Sequence, residues 1–415
     1  MKLRFANLEL WERNLYLLFA ATLLSVIGFS FIFPFLPLYV EELGARTGGS
    51  IEFWSGMVFS AQALTMGIMS PVWGALSDRM GRKVMIERAL FGGAIVLTLM
   101  GFARSAEELT LLRAIQGVIT GVIPAASALI AASAPRERAG WALGLLQTSL
   151  WLGAAVGPLL GGVLADAFGF HTTFKMTGVL LVLSGISVHL WVVEQGDVKK
   201  EAASRPKRSM LQTWKATLTS GEMGQLYTIK FMVQLAATVM LPIAPLLVAS
   251  LMPGSSRVAT VAGLFTAISA GASTLSAVRF GSLGDRIGHR TVLIAGCVLS
   301  ALAYLCFLWV TNIWQLIGLA AVAGLANGAV IPSISALLAN GSPEGDQGTV
   351  YGLDSSVQAA ARMIAPMVGS AVAVYFALQV SFAVAGLIFL LAGAATFLML
   401  SPQRPPVDGR AMAAD

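Results

Sequence analysis

The chain has 415 residues, 56% of them hydrophobic and 12% charged, with a net charge of +6 and a mean hydropathy of +0.78. A soluble domain carries about 25% charged residues, so a water-soluble fold is excluded and lipid must be the solvent. The positive balance does not point to nucleic acid, because the basic residues follow membrane topology.

A spanning helix needs roughly 20 apolar residues. Twelve spans are predicted, at about 15–39, 53–76, 84–104, 107–131, 140–165, 172–193, 223–250, 257–280, 291–311, 313–339, 349–376 and 380–400. The expected fold is an all-α integral membrane protein, with twelve transmembrane helices in two six-helix bundles related by pseudo-two-fold symmetry. The bundles are placed at 1–193 and 223–400, with a hydrophilic linker at 194–222 and a tail at 401–415.

The N-terminus imitates a signal peptide, basic then apolar. The run is long, lacks a convincing small-residue cleavage site and opens a full set of spans, so it reads as span one. Span one carries Phe31, Phe35 and the run Pro34-Phe-Leu-Pro37, and no interior carboxylate. Span two carries Gln62 and runs into Gly74-Ala-Leu-Ser-Asp78-Arg79-Met-Gly81-Arg82-Lys83. Gly74 and Gly81 suit tight turns and close helix approach. Asp78 falls at the C-terminal end of span two, where its own helix dipole repels a carboxylate. A helix N-terminus is a suitable partner, and span eleven starts near Thr349 on the same side. Arg79, Arg82 and Lys83 are expected to anchor to anionic headgroups. A purely topogenic turn is the plainer alternative.

Span three has Glu87 near its start. Span four carries Arg113 about six residues in, followed by Gln116, Gly117 and Gly121. A charge inside a span is costly and is a functional hypothesis by default; a snorkelling structural arginine is the alternative. Span five carries Gln147 and Trp151, then Gly153, Gly157 and Gly161 at spacing four, with Pro158 among them. That ridge lets helix backbones touch, and Pro158 should bend the helix. Ordinary tight packing and a moving interface both fit it.

Span seven carries Lys230 and Gln234. Span eight runs into Gly281-Ser-Leu-Gly-Asp285-Arg286-Ile-Gly-His-Arg290, which repeats the first segment at an offset of 207 (281 − 74). By symmetry Asp285 would meet the start of span five near Ala139. Cys297 and Cys306 share span nine, nine residues apart, and read as packing residues. Asn327 lies on span ten. Span eleven carries Asp354, Gln358 and Arg362 as one polar stripe, with Asp354 at a depth comparable to Lys230. If the two pair as a static ion pair, the role is structural; if protonation breaks the pair, it is a coupling device. A proton carrier needs a carboxylate in a partly dry site, and Asp354 is the best placed. Together with Lys230, the uncharged residues Phe31, Phe35, Gln62, Gln116, Gln147, Trp151, Gln234, Asn327 and Gln358 are the candidate cavity wall. Apolar and aromatic with scattered amides, such a wall suits bulky amphiphiles better than sugars. For any one of these residues, core packing is the competing reading.

The duplication extends beyond the repeated segment. Pro34 and Pro37 match Pro242 and Pro245, Pro124 matches Pro332, Pro135 matches Pro343, Gly140 and Gly144 match Gly348 and Gly352, and Pro158 matches Pro366, all at an offset of 208 (242 − 34). Six spans per half make the halves parallel repeats about an axis along the membrane normal, a layout that suits alternating access. Four basic residues (Arg46, Arg104, Lys175, Arg257) fall in the loops placed outside; the other 23 of 27 lie in inner loops, tails or spans. The bias places both termini and both repeated segments in the cytoplasm. Lys199, Lys200, Arg205, Lys207 and Arg208 add to it as solvated linker charges.

The segment Gly74 to Lys83 resembles the signature loop of the major facilitator superfamily. Leu112-Arg113-Ala-Ile-Gln116-Gly117 resembles its helix-four motif, whose arginine that resemblance implicates in proton coupling. Gly153 through Gly162 resembles the helix-five motif of its twelve-span drug:proton antiporters, and Pro34-Phe-Leu-Pro37-Leu-Tyr looks most like bacterial multidrug efflux pumps. The resemblance implies a secondary transporter in the bacterial cytoplasmic membrane, exporting hydrophobic or amphiphilic drugs against protons, as a monomer. Several relatives carry an acidic residue in span one that this chain lacks. An exporter of one endogenous lipid or metabolite, or a proton-coupled uptake symporter, are the alternatives. No catalytic motif, phosphate-binding loop or metal cluster occurs around His171, His189 and His289, so an enzyme, a cofactor, a metal and ATP as fuel are not expected.

Overall fold

The computed structural model describes residues 8–194, 221–340 and 347–401, and these are helical with no strand among them. Linker residues 195–220, the tail beyond 401, and Pro343 lie outside the described residues, as do the side chains of Asp78, Gly348, Thr349 and Gly352. Ten described helices are long and apolar enough to cross a membrane. Ile51–Met80 and Arg82–Met100 complete the twelve; the first is diluted by Ser, Thr and Gln, the second by Arg82, Lys83, Glu87 and Arg88.

Span one is two pieces, Leu10–Phe31 and Leu36–Leu43, and span seven repeats this as Gly221–Val239 and Ala244–Leu251. Proline lacks an N–H and clashes with the carbonyl four residues back, so the matched pairs Pro34/Pro37 and Pro242/Pro245 break both helices alike. Spans five, ten and eleven accommodate Pro158, Pro332 and Pro366 inside continuous helices, Arg136–Phe168, Ile313–Asn340 and Gln347–Tyr375.

Span four departs from its repeat. It breaks into Ala106–Ile119 and Val122–Ser133, with Gly121 at φ 149°. Pro124 crowds the carbonyl of Thr120, and Gly121 relieves the crowding with a φ that L side chains rarely adopt. The matched position in span ten is Ala329 (329 − 121 = 208), and that helix stays whole.

The repeated decapeptide is not a loop, as its glycines suggested. Gly74 and Gly281 sit inside helices with open space around them, so neither makes a turn or a close approach. The chain turns at Gly81 and Gly288 alone, at φ 102° and 92°, before spans three and nine begin at Arg82 and His289. Spans six and twelve are Phe170–Trp191 and Leu378–Met399.

The chain divides into two compact units. The first holds residues 1–207 with 241–267 and 366–374; the second holds 208–240, 268–365 and 375–415. In the first unit the glycine ridge of span five lies on span one. A Cβ on Gly153 would meet Val26, one on Gly157 would meet Ser30 and Ile27, and one on Gly161 would fall on the backbone of Phe31. The opposite face of span five touches span eight, Val258–Ile287: Gly162 abuts Ala259, and the Pro158 carbonyl abuts Gly263. The ridge is a packing interface within one unit, and it is the other face that meets span eight.

Gly161→Leu should therefore prevent the two helices from seating. Overpacking costs roughly 1–3 kcal/mol even where side chains can shift, and here the obstacle is backbone. Loss of the monodisperse peak in detergent, or a clear fall in unfolding temperature, is expected. Gly144→Leu, with nothing near its Cβ, should be neutral in the same assay.

Candidate functional site

The second unit contains a buried ion pair. Lys230 on span seven is buried, and its Nζ lies 3.4 Å from Asp354 Oδ1 on span eleven and 3.4 Å from Ser335 Oγ on span ten. Asp354 Oδ2 accepts a hydrogen bond from Gln358 Nε2 at 2.7 Å. A well-made ammonium–carboxylate bond is about 2.7–2.9 Å, and Asp354 Oδ1 has no aligned donor. The pair is thus loose: the short hydrogen bond found at Asp354 among the described residues comes from a neutral amide. Arg362, two turns further along the stripe, is exposed, and Gln234 and Gln358 are half-buried.

On the neighbouring faces of the same two helices lies a cleft of about 350 Å³, lined by Tyr227, Thr228, Phe231, Ser356, Val357 and Ala360. None of these residues stood out in the sequence. Tyr227 and Phe231 are an i, i+4 aromatic pair of the kind that ordinarily packs a core.

In the first unit, Arg113 and Arg88 lie well inside their spans. Arg113 is 1% exposed. Its Nε donates to the Val58 carbonyl at 3.3 Å, its Nη1 to Gln116 Oε1 at 2.6 Å, and its guanidinium lies 5.7 Å from the Phe59 ring centroid. Its Nη2 has no partner, and no ion pair reaches it among the described residues. Gln116 is therefore a ligand of Arg113 rather than a cavity wall. The second arginine, Arg88, was missed: six residues into span three, it sits close to the basic run at Arg82 and Lys83. Its guanidinium stacks 3.5 Å from the Trp73 centroid, and Trp73 Nε1 donates to the Val118 carbonyl just before the break in span four.

Several cavity candidates are engaged in packing or hydrogen bonds within the structure. Phe31 is buried, and its backbone lies against Gly161. Phe35, turned aside by the proline break, is buried against Phe170 and Phe174, with centroids 5.3 and 5.4 Å away. Asn327 is tied to span nine, accepting from Ser300 Oγ at 3.2 Å and donating to Tyr304 Oη at 3.2 Å. Gln62 is half-buried. Gln147 is exposed and Trp151 is 56% exposed, so both remain free to meet a ligand.

At the repeated segments, Glu194 closes the first turn of span three. Its two oxygens accept the backbone N–H groups of Arg82 and Lys83 at 2.9 and 3.0 Å. This carboxylate at a helix N-terminus is favourable, and it seats the segment on the end of span six. Lys83 Nζ donates to the His189 carbonyl at 2.8 Å and lies 3.7 Å from Glu87, so it is engaged within the protein rather than extended toward headgroups. Arg79 and Arg286 are exposed. Asp285 is 73% exposed on its side chain and lies 3.2 Å from His289 one turn on.

A family model described as "Major Facilitator Superfamily" matches residues 18–252 and 226–414. The second match begins 208 residues after the first (226 − 18), the offset of the internal repeat. The chain is 37% identical over 393 residues to "Multidrug resistance protein MdtG" of Enterobacter lignolyticus (strain SCF1), covering 94% of this chain and 93% of the relative. It is 36% identical to the protein of that name from Klebsiella pneumoniae (strain 342), covering 96% and 95%. Among solved structures it resembles the nucleoside transporter NupG (TM-score 0.77, 13% identity, 94% of this chain and 100% of that one). It also resembles an inward-facing bacterial homologue of the lysosomal transporter Spinster (TM-score 0.75, 16% identity, 94% and 98%). At such identities these two likenesses speak for the fold alone. The repeat, the twelve helices and the family match agree, and the chain belongs to the major facilitator superfamily, whose members are membrane transporters and not enzymes.

Proposed function

We propose that this protein exports hydrophobic or amphiphilic drugs across the bacterial cytoplasmic membrane by alternating access, in exchange for protons, with both termini in the cytoplasm and as a monomer. Identity of 35–37% along almost the whole length to proteins named for multidrug resistance supports export of drugs. The loose pair Lys230–Asp354 carries the proposal of proton coupling. Protonating Asp354 removes the countercharge of a buried ammonium, which is expensive to leave unpaired. A conformation that hydrates Lys230 is then favoured, and loss of the proton restores the pair. Arg113 and Arg362 supply fixed positive charge that disfavours an additional proton nearby. Gln62 on span two, Gln147 and Trp151 on span five, and Gln234 and Gln358 in the second unit are the residues we assign to substrate. The repeated segments around Asp78 and Asp285 serve as gating elements.

Everted vesicles loaded with a fluorescent amphiphilic dye test the coupling. Asp354→Asn should abolish dye movement driven by an imposed proton gradient, by a factor of at least about ten, the loss of one strong charged interaction. Unchanged gradient dependence would return Asp354 to a structural role. Asp78→Asn should slow transport while the protein stays inserted and monodisperse; a wild-type rate would remove the gating role of that segment.

A further inference from the structure

The face of span five opposite its glycine ridge ends on Asp166, two residues before the helix stops at Phe168. A carboxylate at a helix C-terminus is repelled by its own dipole. Asp166 instead reaches span eight: its Oδ1 accepts the N–H of Ala259 at 3.2 Å and its Oδ2 that of Thr260 at 2.7 Å. Span eight starts at Val258, and Val261 N–H bonds to the Arg257 carbonyl at 3.1 Å, so Arg257 is the N-cap residue. Ala259 and Thr260 are then the second and third helical positions, whose N–H groups an N-cap side chain ordinarily satisfies. Arginine has no oxygen with which to do so. Span eight therefore takes its cap from span five.

The repeat gives an internal comparison within the first unit. Gly263 lies against the Pro158 carbonyl, and Gly56 of span two lies against the Pro366 carbonyl of span eleven. The two contacts are related by the duplication (263 − 56 = 207; 366 − 158 = 208). The backbone contact is thus present twice, but the carboxylate only once. The counterpart of Asp166 is Val374 (374 − 166 = 208), and span two is capped by its own Ser50, whose Oγ accepts from Phe53 N–H at 3.2 Å.

We infer that Asp166 is a charged tie between spans five and eight, holding them together at the end of the bundle opposite the repeated segments. It is made only when the helices touch and must be broken when they part. This rests on the alternating-access reading, but its test involves neither substrate nor proton, so failure of drug export and failure of the tie are separable.

The test is a spin-label distance measurement on the full chain in nanodiscs, with Cys297 and Cys306 replaced by Ser. Labels at Phe168→Cys and Ser256→Cys report the separation of spans five and eight. A second pair, Phe168→Cys with Phe102→Cys, is the control within the N-terminal bundle. The unaltered protein should show mainly the short distance. Asp166→Ala should lower the ratio of short to long distances by roughly tenfold, as loss of charged hydrogen bonds predicts, with the control pair unmoved. Asp166→Asn keeps one acceptor oxygen and should lie between. Adding Arg257→Ser to Asp166→Ala gives span eight its own cap without the link to span five, and it should not restore the ratio. Restoration would show that Asp166 is only a cap and would overturn the tie, as would an unchanged ratio in Asp166→Ala. Should Asp166→Ala not fold, Asp166→Asn decides alone: a ratio equal to that of the unaltered protein overturns the tie.

Discussion

Backbone contact along span five is the constraint on which the first unit depends. In lipid, the tails are as apolar as leucine, so helices gain little by hiding apolar side chains from solvent; close van der Waals approach and satisfied polar groups decide the packing. Span five makes such an approach on two sides, with Gly153, Gly157 and Gly161 on span one and Gly162 on span eight. The buried hydroxyls obey the same economy. Ser25, Thr177, Ser333 and Thr396 each donate to the carbonyl four residues back in their own helix. A hydroxyl satisfied locally asks nothing of a neighbouring helix, so these polar positions do not fix partners; the glycines do.

Charges are arranged differently in the two units. In the second unit, Lys230 is met by Asp354. In the first, Arg113 and Arg88 are met by carbonyls, an amide and aromatic rings. A guanidinium can be held this way because its charge is spread over a plane that stacks and its donors fork. The consequence is mechanistic. In the proposed exchange, a proton in the second unit would meet a carboxylate whose charge it cancels, whereas the partners of the two arginines in the first, among the described residues, are carbonyls, an amide and aromatic rings. This contrast is what favours Asp354 over the arginines as the site of the proposed proton coupling.

What was legible in the sequence was whatever a single helix decides for itself. Matched prolines gave the same breaks in spans one and seven, because the clash they cause is local. The i, i+4 stripe of Asp354 and Gln358 made a real hydrogen bond for the same reason. What was not legible depended on which neighbour a side chain meets. Phe35 and Asn327 looked like cavity residues, but a proline turn and the tyrosine of another span took them elsewhere. Gly74 had the composition of a turn and lies within a helix, because one left-handed glycine at position 81 is enough to reverse the chain. Glu194 and Asp166 carried no motif at all; each is an ordinary acidic residue near a helix end until the N-terminus it caps is in view.

The departures from the repeat are the most informative part of the duplication. Two copies folded from the same plan keep the features that packing requires in both, such as the glycine-on-carbonyl contacts at Gly263 and Gly56. Features present in only one copy are free of that requirement. Gly121 and Asp166 are of this kind, facing Ala329 and Val374 in the other half. Gly121 opens span four beside Arg88, and Asp166 puts a charged cap on a helix that cannot cap itself. Both lie in the half whose arginines Arg113 and Arg88 have no carboxylate partner among the described residues. A transporter with two equivalent halves would load each contact equally as it cycles. Here span four is broken where span ten is continuous, and span eight takes a carboxylate cap from span five where span two caps itself, the counterpart residue on span eleven being Val374. On the proposed alternating-access cycle, the two related contacts are therefore loaded unequally, with a carboxylate tie at the contact of spans five and eight and none at its counterpart.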